Sequence, residues 1–586
     1  MPNPLLSDRF VDFLMYDVLH VEELCTLPAF ADHSRETFDM WMNACRRMAR
    51  DVLAPAYRAM DAAPPRLENG EVHVPKETQV VWEELTKLGV IASTRPPEVG
   101  GQQVPLVVSG FATGYLMAGN VSAYAYAGLT TGAAHLIEAF GSDALKKDFM
   151  LPMYEGKWSG TMALTEPQAG SSLADVQTRA TPSGDHFLLR GSKIFISGGG
   201  HDLTENIVHL VLARIDGAPA GTKGVSLFVV PRSRIEDGNL VSNDVTVSGL
   251  IHKIGWRGLP SVALSLGDMN DCHGYLVGEA NAGLRCMFQM MNEARLMVGM
   301  NGAATASVAY HESAAYAQDR TQGRPIGVTD ATTKPVPLVA HADVRRMLLR
   351  QKAIVEGSLA LLGWCSLQAD LSHHATDAAA RERARLLLDL LTPIAKTFPA
   401  EHGFEANVLA LQIHGGYGYS SEYLPEALLR DQKLNSIHEG TTQIQSLDLL
   451  GRKVVNGAAL FALRDEILAT CTRADADGVD RNETEQLRQA LATVGGVTAS
   501  LIERGSKGDR ENMLSHATDY LELLSILVIG WMWTEMRART KPGDFGSGID
   551  AAARYWIVTE IPKIAQLATL CESAERSFVD FRVAWL

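Results

Sequence analysis

Three separated stretches of the sequence hold residue types that could do chemistry. Residues 411–445, LQIHGGYGYSSEYLPEALLRDQKLNSIHEGTTQIQ, carry glycines at 415, 416 and 418, where backbone can come close to a ligand. The same stretch places one acid, Glu439, between Ile437 and Ile444. A carboxyl desolvated by apolar neighbours rises above its usual pKa and can act as a general base near neutrality. Beside His438, Glu439 can equally be a helix-start acid stabilised by the helix dipole. Residues 162–175, MALTEPQAGSSLAD, are small and hydroxylated enough to offer backbone N–H groups to a planar ring edge or a phosphate. Read alone, they are also an ordinary turn. Residues 191–199, GSKIFISGG, put Phe195 where it could stack on a planar ring and Ser197 where it could donate a hydrogen bond. A strand ending in a glycine turn explains them as well.

The elements that must position these groups change character along the chain. Its 586 residues correspond to about three or four domain-sized units. Residues 8–24 show helical spacing at Phe10, Phe13, Leu14 and Val18. Residues 34–88 read as helical, broken at Pro64–Pro65, and RPPEVGGQQVP reads as a loop. Helical patterning resumes over 106–154. From about Gly160 to Gly283, short β-like runs such as HFLLRG, NIVHLVLARI and GVSLFVVP alternate with turn residues. Long helices follow to about Val454 and suggest an antiparallel bundle. TRADADGVDRNETE reads as an acidic linker; it fails as a calcium loop because Val479 and Gln486 fall on ligand positions. A further helical region closes the chain.

Composition narrows the function classes. A net charge of −15 argues against wholesale nucleic-acid binding. Seven scattered cysteines without a CxxC pair predict neither a disulfide framework nor a zinc site, and no metal is expected. No Rossmann fingerprint, Walker A, HExxH or GxSxG sequence is present. The acidic N-terminal stretch predicts no leader, no uninterrupted apolar run predicts a transmembrane segment, and the expected location is cytoplasmic.

Taken together and in this order, TEPQAGSS, KIFISGG, QIHGGYG and RDQKLNSIHEGTTQIQ resemble the motifs of the acyl-CoA dehydrogenase family over about residues 40–455. Two departures stand out: Ser172 occupies the usual Asp position and Phe195 the usual Trp. Phe keeps the flat face but loses the indole N–H, so an altered flavin environment is expected.

The resemblance implies a mainly α fold with a central β-domain. Its parts are an N-terminal helical extension (1–40), an N-terminal α-domain (41–160), a β-barrel-like middle domain (161–283), a C-terminal four-helix bundle (284–455) and an additional helical domain (456–586). It implies FAD as cofactor and Glu439 as the base for α,β-dehydrogenation of an acyl-CoA. Met162, Leu164, Thr165, Phe195 and Ser197 would line the flavin, with Gly170 and Ser171 near flavin and CoA. Arg320 would hold the FAD diphosphate across a subunit contact, Gln412 and Gly416 would approach the adenine half from a partner subunit, and Thr441 and Gln443 would complete the FAD site. Ser171, Arg295, Glu439 and Gly440 would meet the substrate, although Arg295 can also be read as a surface arginine. Residues 124–129 would form the floor of the acyl pocket.

The expected substrate is a medium- or long-chain acyl-CoA in fatty-acid β-oxidation, with electron-transfer flavoprotein as acceptor. The alternatives are a 3-methylthiopropionyl-CoA dehydrogenase, an acyl-CoA oxidase and a non-catalytic acyl-CoA-binding protein. The N- and C-terminal additions resemble those of larger family members. There the extra helices could cover bundle surface that smaller members bury by pairing dimers, which predicts a homodimer.

Overall fold

The computed structural model describes residues 3–455, 457–573 and 575–586, the side chains of 288–291 excepted. By packing, the chain divides into two units, one of residues 36–105 and 115–294, the other of 1–35, 106–114 and 295–586.

In the first unit, helices Arg35–Met48 (from Glu36 onward), Ala54–Ala62 and Lys76–Leu88 precede the long helix α1 (Leu106–Phe140, from Tyr115 onward). A short hairpin, Arg66–Glu68 with Glu71–His73, follows the Pro64–Pro65 break. It was not expected from the helical pattern. Its signal was Asn69–Gly70, both at positive φ, the pair that a two-residue hairpin turn requires.

Helix α1 is long and apolar enough to cross a membrane by length and composition, but 78% of its apolar window is buried within the protein. It also breaks at Asn120 (φ −166, ψ 99). The Asn120 side chain accepts from Ala123 N at 3.1 Å and so restarts the helix as an N-cap would.

The β-domain is built from β1 (Ser159–Ala163), β2 (Arg179–Ser183), β3 (His186–Ser197), β4 (Ile207–Ile215), β5 (Ser226–Pro231), β6 (Val245–Leu250), β7 (Ser261–Leu266) and β8 (His273–Val277). The sheet order is β6-β7-β3-β8-β5-β4-β1, with β2 bridging β3 and β4. β4 and β5 are buried along nearly their whole length, which explains their continuous apolar runs.

In the second unit, α2 (Gly283–Asp319, from Arg295 onward), α3 (Ala342–His374) and α4 (Ala378–His414) supply the bundle, and α5 (Thr442–Asp448) follows the Glu439 turn. α6 (Gly457–Ala476), α7 (Arg481–Ser506), α8 (Ala517–Arg539), α9 (Asp544–Thr559) and α10 (Lys563–Ser573) pack in the same unit. Trp533 Nε1 on α8 donates to Ala353 O on α3 at 3.1 Å, and Gly357 makes room for it: a Cβ there would lie 3.0 Å from that nitrogen. Trp531 meets Trp364 edge-on at 5.0 Å, and Trp556 meets Phe398 at 5.7 Å. The N-terminal segment joins them, with Phe13 edge-on to Phe545 at 5.3 Å.

The acidic linker expected over 472–485 is instead largely helical. α6 runs to Ala476 and α7 starts at Arg481, capped by Asp480, whose side chain accepts from Asn482 N. Asp475 ties the two helices by accepting from Arg488 at 2.6 Å and Thr484 Oγ1 at 2.5 Å. Asp475 and Asp480, which looked solvated, are a local tie and a cap.

Candidate active site

In the first unit the TEP loop and β3 are joined through one buried pair. Glu166 accepts from Lys193 Nζ at 2.7 Å, Gln177 N at 2.7 Å, Thr178 N at 3.0 Å and Thr178 Oγ1 at 2.6 Å. Burial works to raise this carboxyl, but Lys193 and the hydrogen bonds outweigh it and hold it at about 2. Lys193 also donates to Leu164 O and Leu212 O at 3.1 and 2.7 Å, and burial lowers it to about 8 against the pull of Glu166. Ile194 N donates to Thr165 O at 3.0 Å. Leu164, Thr165 and β3 are thereby held together, with Met162, Leu164, Thr165 and Ser197 all half-buried.

Phe195 sits where the β3–β7 register shifts between Val262 and Leu264. The extra residue forms a bulge, and Phe195 takes left-handed backbone at φ 61. A non-glycine residue there costs on the order of 1 kcal/mol. The bulge leaves the aromatic ring 61% exposed. Gly170 and Ser171 are exposed, and nothing lies within 4 Å of a Cβ built on Gly170. Ser172 donates to Asp175 at 2.5 Å, a local turn contact in place of a carboxylate.

In the second unit, Glu439 is the other left-handed side-chain-bearing residue of the candidate set, at φ 53, followed by Gly440 at φ 89. Gln445 Nε2 donates to Glu439 O at 2.9 Å, with Gly440 O at 3.4 Å. Lys396 Nζ donates to Gly440 O at 2.9 Å. A Cβ on Gly440 would lie 2.6 Å from Gln445 Nε2, so this close hold requires glycine. Glu439 keeps accessible surface, yet the protein around its carboxyl raises its pKa by desolvation, opposed by Arg295 and Lys396. The helix-start reading of Glu439 gives way to Thr441, which caps α5 by accepting from Ile444 N at 3.4 Å. Gln443 is exposed on its first turn.

Arg295 is buried, not a surface arginine: it is 5% exposed and pairs with Asp448 at 2.8 Å. Arg320 lies over the Tyr417 ring at 5.9 Å, while Tyr316 stacks on His414 at 4.3 Å. Arg320 is thus brought to the glycine turn that carries Gly416, with Gln412 exposed on the helix end before it. Gly415 (φ 60) permits the sharp exit, and a Cβ on Gly416 would meet nothing within 4 Å. Lys193, Lys396 and Gln445 were missed from sequence, because their partners lie 6 to 44 residues away and no local pattern announces them.

Residues 35–157, 161–269 and 281–454 match the family domains described as acyl-CoA dehydrogenase N-terminal, middle and C-terminal, and residues 463–582 match "Acetyl-CoA dehydrogenase C-terminal like". A Ruegeria pomeroyi protein named 3-methylmercaptopropionyl-CoA dehydrogenase is 35% identical, with 96% of each chain covered. This chain belongs to the acyl-CoA dehydrogenase family. A Syntrophomonas wolfei butyryl-CoA dehydrogenase is 34% identical over 99% of this chain and 98% of its own. The solved structure of Caenorhabditis elegans ACDH-11 in complex with C11-CoA shares the fold, with a TM-score of 0.77 at 21% identity over 99% of this chain and 96% of that one.

An acyl-CoA dehydrogenase is an FAD-dependent oxidoreductase acting on acyl-CoA, and the chain's residues fit that cofactor. The exposed Phe195 face gives a flat surface for a ring, and in the same unit the open space at Gly170 leaves backbone accessible to a ligand.

Proposed function

We propose that this enzyme uses the Glu439 carboxylate to remove the α-proton of a short, unbranched acyl-CoA, giving the trans-2-enoyl-CoA. The observation that carries the reading is a carboxyl raised by desolvation, drawn back by two cations, on a turn held at both carbonyls. Such a carboxyl is more basic than a free one, and the two cations favour its anion. The Glu439 N–H is the donor for the thioester carbonyl and stabilises the charge that develops there as the proton leaves. Bound FAD supplies the acceptor for the β-hydride. Met162, Leu164, Thr165, Phe195 and Ser197 line its ring, Thr441 and Gln443 complete its site, Arg320 holds the diphosphate across a subunit contact, and the partner subunit's Gln412 and Gly416 approach its adenine half. Gly170 and Ser171 lie along the flavin and CoA arm, and Gly440 keeps the base turn close. Buried and paired, Arg295 acts on the charge of Glu439 rather than as an exposed CoA contact.

Both relatives above are named for short acyl groups, which supports a short substrate over the medium or long chain expected from sequence. In the 124–129 segment, Tyr124 and Tyr126 are buried, and the Tyr126 hydroxyl is committed to Gly258 O at 3.1 Å. Ala125 and Leu129, one helical turn apart, are the half-buried members that could face a ligand. Electron-transfer flavoprotein is the proposed acceptor, and a cytoplasmic homodimer the proposed form. The cover that α8 and α9 give the bundle within one chain supports the dimer.

The test is anaerobic flavin bleaching with straight-chain acyl-CoAs from propionyl to palmitoyl and with 3-(methylthio)propanoyl-CoA. Short chains bleach fastest on this reading. Glu439→Gln keeps its FAD and loses turnover by about 10²–10⁴-fold; near-normal turnover in that variant overturns the assignment of the base.

A further inference from the structure

The Glu439–Gly440 turn is held by two side chains, and only one of them carries charge. Gln445 is neutral and reaches the turn from α5. Lys396 comes from α4, has no exposed surface, and donates to Gly440 O at 2.9 Å. Among the described residues it forms no ion pair within 4.0 Å and makes no other side-chain hydrogen bond. A buried ammonium without a contact partner is costly, and proteins normally neutralise it directly. Here the nearest balancing charges are offset: Glu401, which accepts from Thr442 and lies 4.0 Å from Lys433, and Glu439 itself. The other groups facing it are Arg295, engaged by Asp448, and His438, which burial and Lys396 keep neutral.

We propose that Lys396 is a positioning residue for the base: its ammonium, seated on Gly440 O, fixes the left-handed Glu439–Gly440 turn and supplies, with Arg295, positive charge that faces the Glu439 carboxylate. This rests on Glu439 being the base. The arrangement has a physical logic. When Glu439 is ionised, two offset carboxylates, Glu401 and Glu439, balance the ammonium; when Glu439 takes a proton, Glu401 is left to do so alone. The lysine therefore favours the anion, the form that can accept the α-proton, and opposes the desolvation that raises the group's pKa. The carbonyl contact does separate work. It holds a peptide whose left-handed neighbour would relax if freed, so the base and its own N–H keep one geometry.

The two contributions separate in holoenzyme variants assayed with butyryl-CoA. Lys396→Met removes both donor and charge. It is expected to retain FAD, to lower kcat about 30-fold or more with KM changed less than threefold, and to move the acidic limb of the kcat profile to higher pH by at least half a unit. Lys396→Gln keeps a donor for Gly440 O without the charge; it is expected to recover much of the kcat loss and keep the pH displacement. A readout free of turnover is the infrared carboxyl band of Glu439, identified by its absence in Glu439→Gln, whose titration midpoint rises in both lysine variants. If Lys396→Met does not fold, Lys396→Gln and its infrared midpoint decide alone. An unmoved midpoint in a folded lysine variant, with Glu439→Gln inactive, overturns the role of Lys396 and leaves the base in place. An active Glu439→Gln overturns the base itself.

Discussion

Two buried lysines accompany the two left-handed residues of the site, and the protein treats them differently. Lys193, two residues before Phe195, has a carboxylate at 2.7 Å and two carbonyls besides. Lys396, on a different helix from Glu439, has one carbonyl and only offset charges. Phe195 needs to keep its shape and never changes charge, so the adjacent lysine is neutralised on the spot. On the proposed reading Glu439 changes charge during its work, and its lysine faces only the offset carboxylates Glu401 and Glu439.

The comparison breaks hardest at Lys193. Lys193→Met leaves Glu166 buried without its cation and is expected to destabilise the folded protein by about 3–5 kcal/mol, read by denaturant unfolding; the double variant with Glu166→Gln, which removes the charge and keeps an acceptor for Gln177 and Thr178, recovers part of that loss. A shared case lies between the extremes. His402 contacts Glu405 at 3.2 Å and Glu522 at 3.0 Å. Burial pulls its pKa down, but Glu522 and Glu405 prevail and raise it to about 9. Its contribution is therefore full below pH 6.5 and is lost as pH rises through 9. At about 1.4 kcal/mol per pH unit this amounts to about 3 kcal/mol. Stability measured from pH 6 to 10 should fall across that window in the parent protein and fall less in His402→Gln.

Smaller effects sharpen the contrast. Lys396→Met leaves only a carbonyl short of one donor, so it is expected to cost about 1–3 kcal/mol, less than Lys193→Met, while its effect on turnover is larger relative to that cost. A stability loss equal to that of Lys193→Met would erase the distinction. Phe195→Gly removes a large ring but relieves left-handed strain of about 1 kcal/mol, offset by the backbone entropy of glycine. Thermal unfolding of the apoprotein should change by less than about 1 kcal/mol while FAD affinity falls.

Sequence reasoning reached Phe195 and Glu439 because each lies in a stretch with a recognisable residue order. It did not reach their conformation, which depends on a strand bulge and on side chains from elsewhere. Lys193 stood inside a quoted motif, yet its partner Glu166 is 27 residues away in another. Lys396 lies 44 residues from the carbonyl it holds, in a helix that reads as ordinary core. The linker failed for the opposite reason: its acids looked free, but Asp475 and Asp480 serve as ties and caps a few residues away. Arg295 was found by type, and its burial against Asp448 decided between two readings that local pattern left open.

The cover that α8 lays over α3 has a consequence for how the chain is made. Trp533 fills the space at Gly357, and Arg350 on α3 pairs with Glu560 beyond α9 at 2.7 Å. A ribosome that has completed the bundle has therefore produced a body with an unfinished flank, and the nascent protein must await its last helices before that flank closes. Premature termination near residue 455 would yield aggregation-prone product rather than a smaller working enzyme.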